Sequence, residues 1–73
     1  MATSEVLAEM VASVLSVPVA VGDSVAVGDT MILLESMKME IPVLAEIAGT
    51  VSEVRVVPGD VIQEGDLLAV LEH

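Results

Sequence analysis

The chain has no cysteine, no aromatic residue and a single histidine, His73, among its 73 residues. Neither a disulfide framework nor a structural metal, the usual supports of a chain this short, is therefore available. Stability must come from packing, since 55% of the residues are hydrophobic and fifteen are valine. Valine's branched side chain suits a pleated sheet better than a helix. We therefore expect one all-β domain spanning residues 1–73.

Basic residues are also scarce, with Lys38 and Arg55 facing twelve carboxylates in a formal net charge of −10. Such a negative field repels phosphate backbones and anionic lipids, so we expect no nucleic-acid partner and no membrane partner. No apolar run approaches the roughly 20 residues that cross a bilayer, and residues 1–5 show no secretory pattern. We expect a soluble cytoplasmic protein. The acidity fits solubility, and it also fits a partner with a basic docking surface.

Catalytic signatures are missing as well. The sole histidine is the last residue, which disfavours a nucleophilic triad. The glycines occur singly and form no phosphate-binding loop. Paired carboxylates would need a cleft, for which a small barrel of aliphatic side chains has little room. We predict that the chain is not an enzyme and that it has no catalytic residue and no metal site.

An internal repeat organises the chain, because residues 6–35 recur at an offset of 37 with thirteen identities in thirty positions. Each copy contains two Gly-Asp turns six residues apart, which begin at Gly22 and Gly28 in the first copy and at Gly59 and Gly65 in the second. Glycine supplies the positive φ of such turns and aspartate caps them. The chain is therefore two copies of one structural unit.

Each copy predicts short strands: Ala12–Val17 and Met31–Leu34 in the first, Gly49–Val56 and Leu67–Leu71 in the second. In both copies the valine spacing changes from three to two, which predicts a bulge or bend within the first strand of each pair. No window of ten residues has helical apolar spacing. We predict a flattened β-barrel or sandwich of about eight strands, in two four-stranded halves related by a pseudo-twofold axis.

The repeat also locates the only lysine, because the offset makes Lys38 the counterpart of the chain ends. Apolar segments, Met31–Leu34 and Ile41–Leu44, flank it, so it is predicted to lie at the tip of a β-hairpin opposite the termini. A lysine at an exposed tip can simply aid solubility, but this chain uses carboxylates for that purpose elsewhere. Met37 and Met39 are harder to explain as surface residues; the alternative is that they fill gaps at the barrel end.

The segment Glu35-Ser36-Met37-Lys38-Met39-Glu40 resembles the biotin-attachment motif of biotin carboxyl carrier proteins. The resemblance extends over nearly the whole chain, including the repeated Gly-Asp turns. Related lipoyl domains share the repeat but typically carry Asp-Lys-Ala, so only the local motif separates the two families. The fold that the resemblance implies is the barrel-sandwich hybrid of the biotinyl and lipoyl domains.

The resemblance implies that biotin is attached covalently to Lys38 and that Met37 and Met39 are recognised by a biotin protein ligase. The neutral amine would attack the carbonyl of biotinyl-adenylate to form an amide, so the ligase must remove a proton from the solvated amine. The domain would then carry carboxybiotin between biotin carboxylase and carboxyltransferase sites. It would be a non-catalytic subunit of a biotin-dependent carboxylase.

The chain departs from the family pattern at Glu9, Val11 and Ala12, where prolines and glycine are common, and Ser36 replaces a frequent alanine. No insertion follows Val14, so we expect a thumbless, free-standing domain, and a monomer. Two alternatives remain open: a lipoyl carrier domain, and an unmodified acidic module that docks to a partner. The methionines favour biotin over lipoyl.

Overall fold

The computed structural model describes residues 2–73, and every regular element in that range is a β-strand. The eight strands are β1 (Thr3–Leu7), β2 (Ala12–Ser16), β3 (Ser24–Val25), β4 (Thr30–Ser36), β5 (Met39–Leu44), β6 (Gly49–Val54), β7 (Val61–Ile62) and β8 (Leu67–Glu72). No helix that could cross a membrane is found in the described range. The all-β prediction and the count of about eight strands are confirmed.

Two antiparallel four-stranded sheets form the molecule, with strand orders β1-β8-β6-β3 and β5-β4-β2-β7. Replacing each strand by its equivalent in the other repeat, β1 by β5, β2 by β6, β3 by β7 and β4 by β8, converts one order into the other. The chain is elongated and flattened, with extents of 37 × 19 × 17 Å. The predicted flattened β-barrel or sandwich with a pseudo-twofold axis is confirmed.

The pseudo-twofold symmetry also holds for the register of individual residue pairs between neighbouring strands. Glu35 lies opposite Glu40 in the β4–β5 hairpin, and the pair at the repeat offset, Glu72 opposite Thr3, joins β8 to β1. One step further, Ser36 lies opposite Met39. Its equivalent is the pairing of the two chain ends, so the lysine turn is the counterpart of the termini, as predicted.

Bulges occur where the valine spacing predicted them. The β2–β4 register shifts between Val14 and Ser16, and the β6–β8 register shifts between Val51 and Glu53. These strands end earlier than expected, at Ser16 and Val54, while the hairpin strands extend further, to Ser36 and from Met39. The extension reflects the hairpin ladder, which continues past the apolar residues to the turn itself.

The four Gly-Asp turns are stabilised by the same hydrogen bond. In each, one carboxylate oxygen of the aspartate (Asp23, Asp29, Asp60 or Asp66) accepts a hydrogen bond of 2.8–3.0 Å from the backbone N–H three residues earlier. Gly22 and Gly59 adopt φ of 97° and 96°, a left-handed conformation that suits glycine. Their N–H groups bond to the carbonyls of Val51 and Val14, which ties each turn to the other repeat.

Small aliphatic side chains from both sheets fill the core. The largest fully buried ones are Met31, Ile32, Leu34, Val51, Leu68 and Leu71. Within residues 2–73 no polar or charged residue is buried, and no buried side-chain nitrogen or oxygen lacks a partner. The rigid core therefore needs neither aromatic residues nor buried ion pairs, and it leaves every charged side chain at the surface.

Candidate functional site

The β4–β5 hairpin closes through a two-residue turn made of Met37 and Lys38. Both have positive φ, 52° and 64°, as in the type I′ turns whose twist matches the flanking strands. Such turns favour asparagine and glycine, and a side chain like methionine or lysine adopts this conformation at a cost of about 1–2 kcal/mol per residue. The chain therefore holds two unfavourable residues at its tip.

Met37 and Met39 project into solvent. The exposed fractions of these residues are 92% and 64%. The alternative that they fill gaps at the barrel end is therefore wrong, because they bury little surface against the domain. Large apolar side chains so exposed gain nothing for the fold, and exposed apolar groups of this kind are typical of contact sites for other molecules.

Lys38 itself is exposed and is free of ion pairs with any of residues 2–73, where the recorded pair joins Arg55 to Glu53 at 3.6 Å. Its flexible four-carbon stem therefore carries the amine away from the domain. Just below the turn, the exposed Glu35 and Glu40 lie directly opposite each other on adjacent strands. Like charges in this arrangement are unfavourable, so the carboxylates do not stabilise the hairpin.

The equivalent position in the other repeat has a different role. The backbone N–H of Ala2 donates to the carbonyl of His73, and the N–H of His73 donates to that of Ala2, both at 2.9 Å. This pair takes the place that Ser36 and Met39 hold in the hairpin. Of the two equivalent strand pairs, the β4–β5 pair therefore carries an exposed amine in its turn.

A groove of about 810 Å³ runs between β1 and β5, the edge strands of the two sheets. Its walls are mostly apolar, and four carboxylates line it: Glu5, Glu9, Glu46 and Glu64. The expectation that the domain has little room for a cleft is therefore wrong; the groove opens between two edge strands that are not paired with each other. The groove includes none of residues 35–40, so Lys38 is presented on the surface and lies outside any enclosed site.

One contact was missed by the sequence analysis. The Ser4 hydroxyl lies 2.9 Å from Nε2 of His73, because β1 and the end of the chain are adjacent. The contact is solvent-exposed and lies outside the groove between β1 and β5, and among residues 2–73 no cluster of three or more potential metal ligands occurs. A serine and a histidine alone, without an orienting third group or a substrate cleft, do not make a nucleophilic site.

A family model described as "Biotin-requiring enzyme", the biotin and lipoyl attachment domain, matches residues 2–71. The chain belongs to this family. The predicted family and its cofactor, biotin, are thereby confirmed at the level of the domain. Every residue of the turn lies within the matched range.

Similar proteins carry names that specify the modification. The chain is 67% identical over 39 residues to a "Biotinylated protein TB7.3 homolog" of Mycolicibacterium smegmatis, and equally to "Biotinylated protein TB7.3" of Mycobacterium tuberculosis. Each match covers 53% of this chain and 55% of the relative. The matched segment thus spans about half the length of these curated relatives.

Solved structures give the same fold. The urea carboxylase of Kluyveromyces lactis matches 99% of this chain with 33% identity and a TM-score of 0.91, and a single-chain, multi-domain long-chain acyl-CoA carboxylase matches 93% with 31% identity and 0.88. The matches cover 6% and 7% of those chains. The lipoyl domain of the 2-oxoglutarate dehydrogenase complex of Azotobacter vinelandii matches 86% of this chain and 80% of its own, with 27% identity and 0.75. Small parts of two carboxylases and a lipoyl domain therefore share this fold.

Proposed function

We propose that this domain is a biotin carrier modified on Lys38. The observation that carries the proposal is an exposed amine in a left-handed turn that is unfavourable for methionine and lysine, between two exposed methionines. In a chain of the biotin and lipoyl attachment family, an apolar contact surface beside a free amine fits recognition by an enzyme that modifies the amine. The biotinylated relatives support biotin as the group attached.

The attachment is an acyl transfer. A biotin protein ligase presents biotinyl-adenylate; the unprotonated Lys38 nitrogen attacks the carbonyl carbon, a C–N amide bond forms, and AMP leaves. The amine gives up a proton as the amide forms, and the ligase has to accept that proton. In this scheme Met37 and Met39 fill apolar recesses of the ligase, and the carboxylates of Glu35 and Glu40 meet basic groups on it.

Biotin, once attached, supplies a ureido nitrogen that takes up and releases a carboxyl group. The domain supplies a rigid body and a flexible side chain at its tip, which keep the cofactor at high local concentration around partner sites. We propose that these sites are a biotin carboxylase and a carboxyltransferase, in line with the carboxylases that share the fold. The carrier acts in the cytoplasm as a non-catalytic monomer, whose acidic surface opposes self-association at a net charge of −10.

Intact mass measured after coexpression with the biotin protein ligase of the same organism tests the proposal. The expected result is one biotinyl group, mapped by proteolysis to Lys38. A lipoyl group on the chain in place of biotin would show that the domain is the alternative, a lipoyl carrier. An unmodified chain under conditions that biotinylate a known biotinyl domain would leave only the interpretation as an acidic interaction module.

A further inference from the structure

The outer face of the sheet that bears Lys38 carries a row of four paired residues. Glu40 pairs with Glu35, Glu35 with Ser13, and Ser13 with Val61, one residue from each strand of the sheet. The neighbouring positions Ala12 and Ile62 are buried, whereas Glu35, Glu40 and Val61 are exposed, so this row faces solvent. We call these four residues the tip row.

The internal twofold provides a matched row on the other sheet. Its members, paired in the same order, are Thr3, Glu72, Thr50 and Ser24. One carboxylate and three small hydroxyl side chains occupy positions that in the tip row hold two adjacent carboxylates, a serine and a valine. The two rows share a backbone arrangement, so the differences do not come from the requirements of the fold.

Val61 is the clearest difference, because it is 70% exposed where its counterpart is Ser24. Val11, which precedes β2 by one residue, is also exposed, and the alternation along that strand places it on the same outer face. Its counterpart is Ala48. The tip row thus ends in an exposed apolar patch at one side and a pair of carboxylates at the other.

The row lies close to the amine. Glu35 and Glu40 are each two residues from a member of the turn, which at about 3.3 Å per residue places the row roughly 7 Å below it. Across four strands at about 4.8 Å spacing the row extends roughly 14 Å. A protein that places the Lys38 nitrogen in its own catalytic centre comes within one lysine side chain of the turn, so the row lies within reach of the surface around that centre.

Resting on the proposed function, we propose that the tip row with Val11 is a docking surface for the biotin protein ligase. The ligase surface has basic groups facing Glu40 and Glu35 and an apolar recess facing Val61 and Val11. Charge favours a basic partner over a second copy of this chain, whose net charge is −10. Biotin carboxylase and carboxyltransferase reach the end of the extended biotinyl-lysine arm, so they have less need to contact the row.

The test is steady-state biotinylation of the full chain by the purified ligase of the same organism with biotin, ATP and Mg²⁺. Val61→Ser and Glu40→Thr place at each position the residue of the matched row. Val27→Ser is the control, since Val27 is 66% exposed in the turn that leads into β4, at the end where Thr30 pairs with Leu44. That end of the hairpin ladder is the one remote from Lys38.

Each of the two tip-row variants is expected to raise KM for the carrier about three- to tenfold with kcat unchanged, and the control to leave both unchanged. The Glu40→Thr effect should shrink at high salt while the Val61→Ser effect persists, because only the former is screened. A merely structural role would not produce this difference.

Wild-type KM for both tip-row variants, or an equal rise in Val27→Ser, would overturn the docking surface while leaving biotinylation of Lys38 intact. If the ligase kinetics are unchanged but the KM of biotin carboxylase for the biotinylated variants rises, the ligase assignment is wrong. The surface would then be a docking surface for biotin carboxylase. Absence of biotin on the wild-type chain would overturn both proposals.

Discussion

The two repeats of this domain have the same strand arrangement, but the strand pair that carries Lys38 differs from its equivalent at the chain termini. In one sheet the strands β4 and β5, which come from different repeats, join through Met37 and Lys38; in the other sheet the equivalent strands β8 and β1 pair but are not consecutive in the sequence. What the halves share, the Gly-Asp turns and the buried apolar positions, builds the fold. The residues that they do not share include those around the lysine. The internal repeat therefore supplies a matched position within the same chain for each residue near the lysine.

Removing the amine should have the largest effect. Lys38→Arg keeps the positive charge but offers no usable nucleophile, so biotinylation should be lost completely, as measured by intact mass and streptavidin blotting. The matched control is Lys38→Arg combined with Arg55→Lys, which moves the lysine to an exposed site in the other repeat. This double variant should also stay unmodified. Biotin attached at position 55 of the double variant would show that the turn does not select the site.

Replacing a methionine of the turn should weaken modification without weakening the fold. Met39→Ala installs the residue that occupies the equivalent position in the other repeat, Ala2. We expect kcat/KM for biotinylation to fall about tenfold through lost apolar contact with the ligase. The melting temperature should stay within about 2 °C, because Met39 is mostly exposed. Met37→Asp should weaken biotinylation as well.

Replacing a buried methionine by alanine should instead lower the stability of the fold. Met31→Ala removes a fully buried side chain and should lower the free energy of unfolding by about 2–5 kcal/mol. Urea denaturation of Met31→Ala and Met39→Ala side by side measures both. Similar stabilities would contradict the division of methionines into core and contact residues.

Gly49 tests where the twofold breaks down. Its counterpart is Ala12, yet a Cβ at Gly49 would lie 2.5 Å from the carbonyl oxygen of Glu72. Gly49→Ala should therefore destabilise the fold by about 1–3 kcal/mol, measured by chemical denaturation. The control is Ala12→Gly, which should cost about 1–2 kcal/mol through chain entropy and the loss of a buried methyl group. A neutral Gly49→Ala would show that β6 and β8 can move apart.

The aspartate caps should behave alike in both halves. Asp23→Ala and Asp60→Ala each remove an acceptor for a backbone N–H at 2.9 and 3.0 Å. Each should cost about 1 kcal/mol by thermal or urea unfolding. Costs that differ by more than the measurement error would indicate that the repeats are energetically unequal despite their common geometry.

The smallest expected effect is a gain. Met37→Gly removes a side chain from a left-handed position, and it should raise stability by about 0.5–1 kcal/mol while lowering biotinylation. Differential scanning calorimetry and a ligase assay measure the two changes. A destabilised variant would mean that Met37 contributes to packing, against its exposed position.

The fold was accessible from sequence because its two repeats carry the same signals twice. The Gly-Asp spacing located the turns, and the change in valine spacing located the bulges. The hairpin tip at Lys38 followed from the offset. The strand ends differed by a few residues, since hydrogen-bond ladders extend beyond the apolar pattern. The groove and the contact between Ser4 and His73 could not be anticipated, because they depend on how the sheets meet and where the chain ends lie.

The amino-acid sequence by itself determined the family, the repeat and the position of the single lysine proposed as the attachment site, since these depend on residue type and spacing along the chain. Only the tertiary structure decided that the two methionines are exposed, that the turn is held in a left-handed conformation, and that Glu40, Glu35, Ser13 and Val61 form one row beneath it. These properties arise from strand pairing between residues distant in sequence, and local patterns do not specify which outward-facing residues become neighbours.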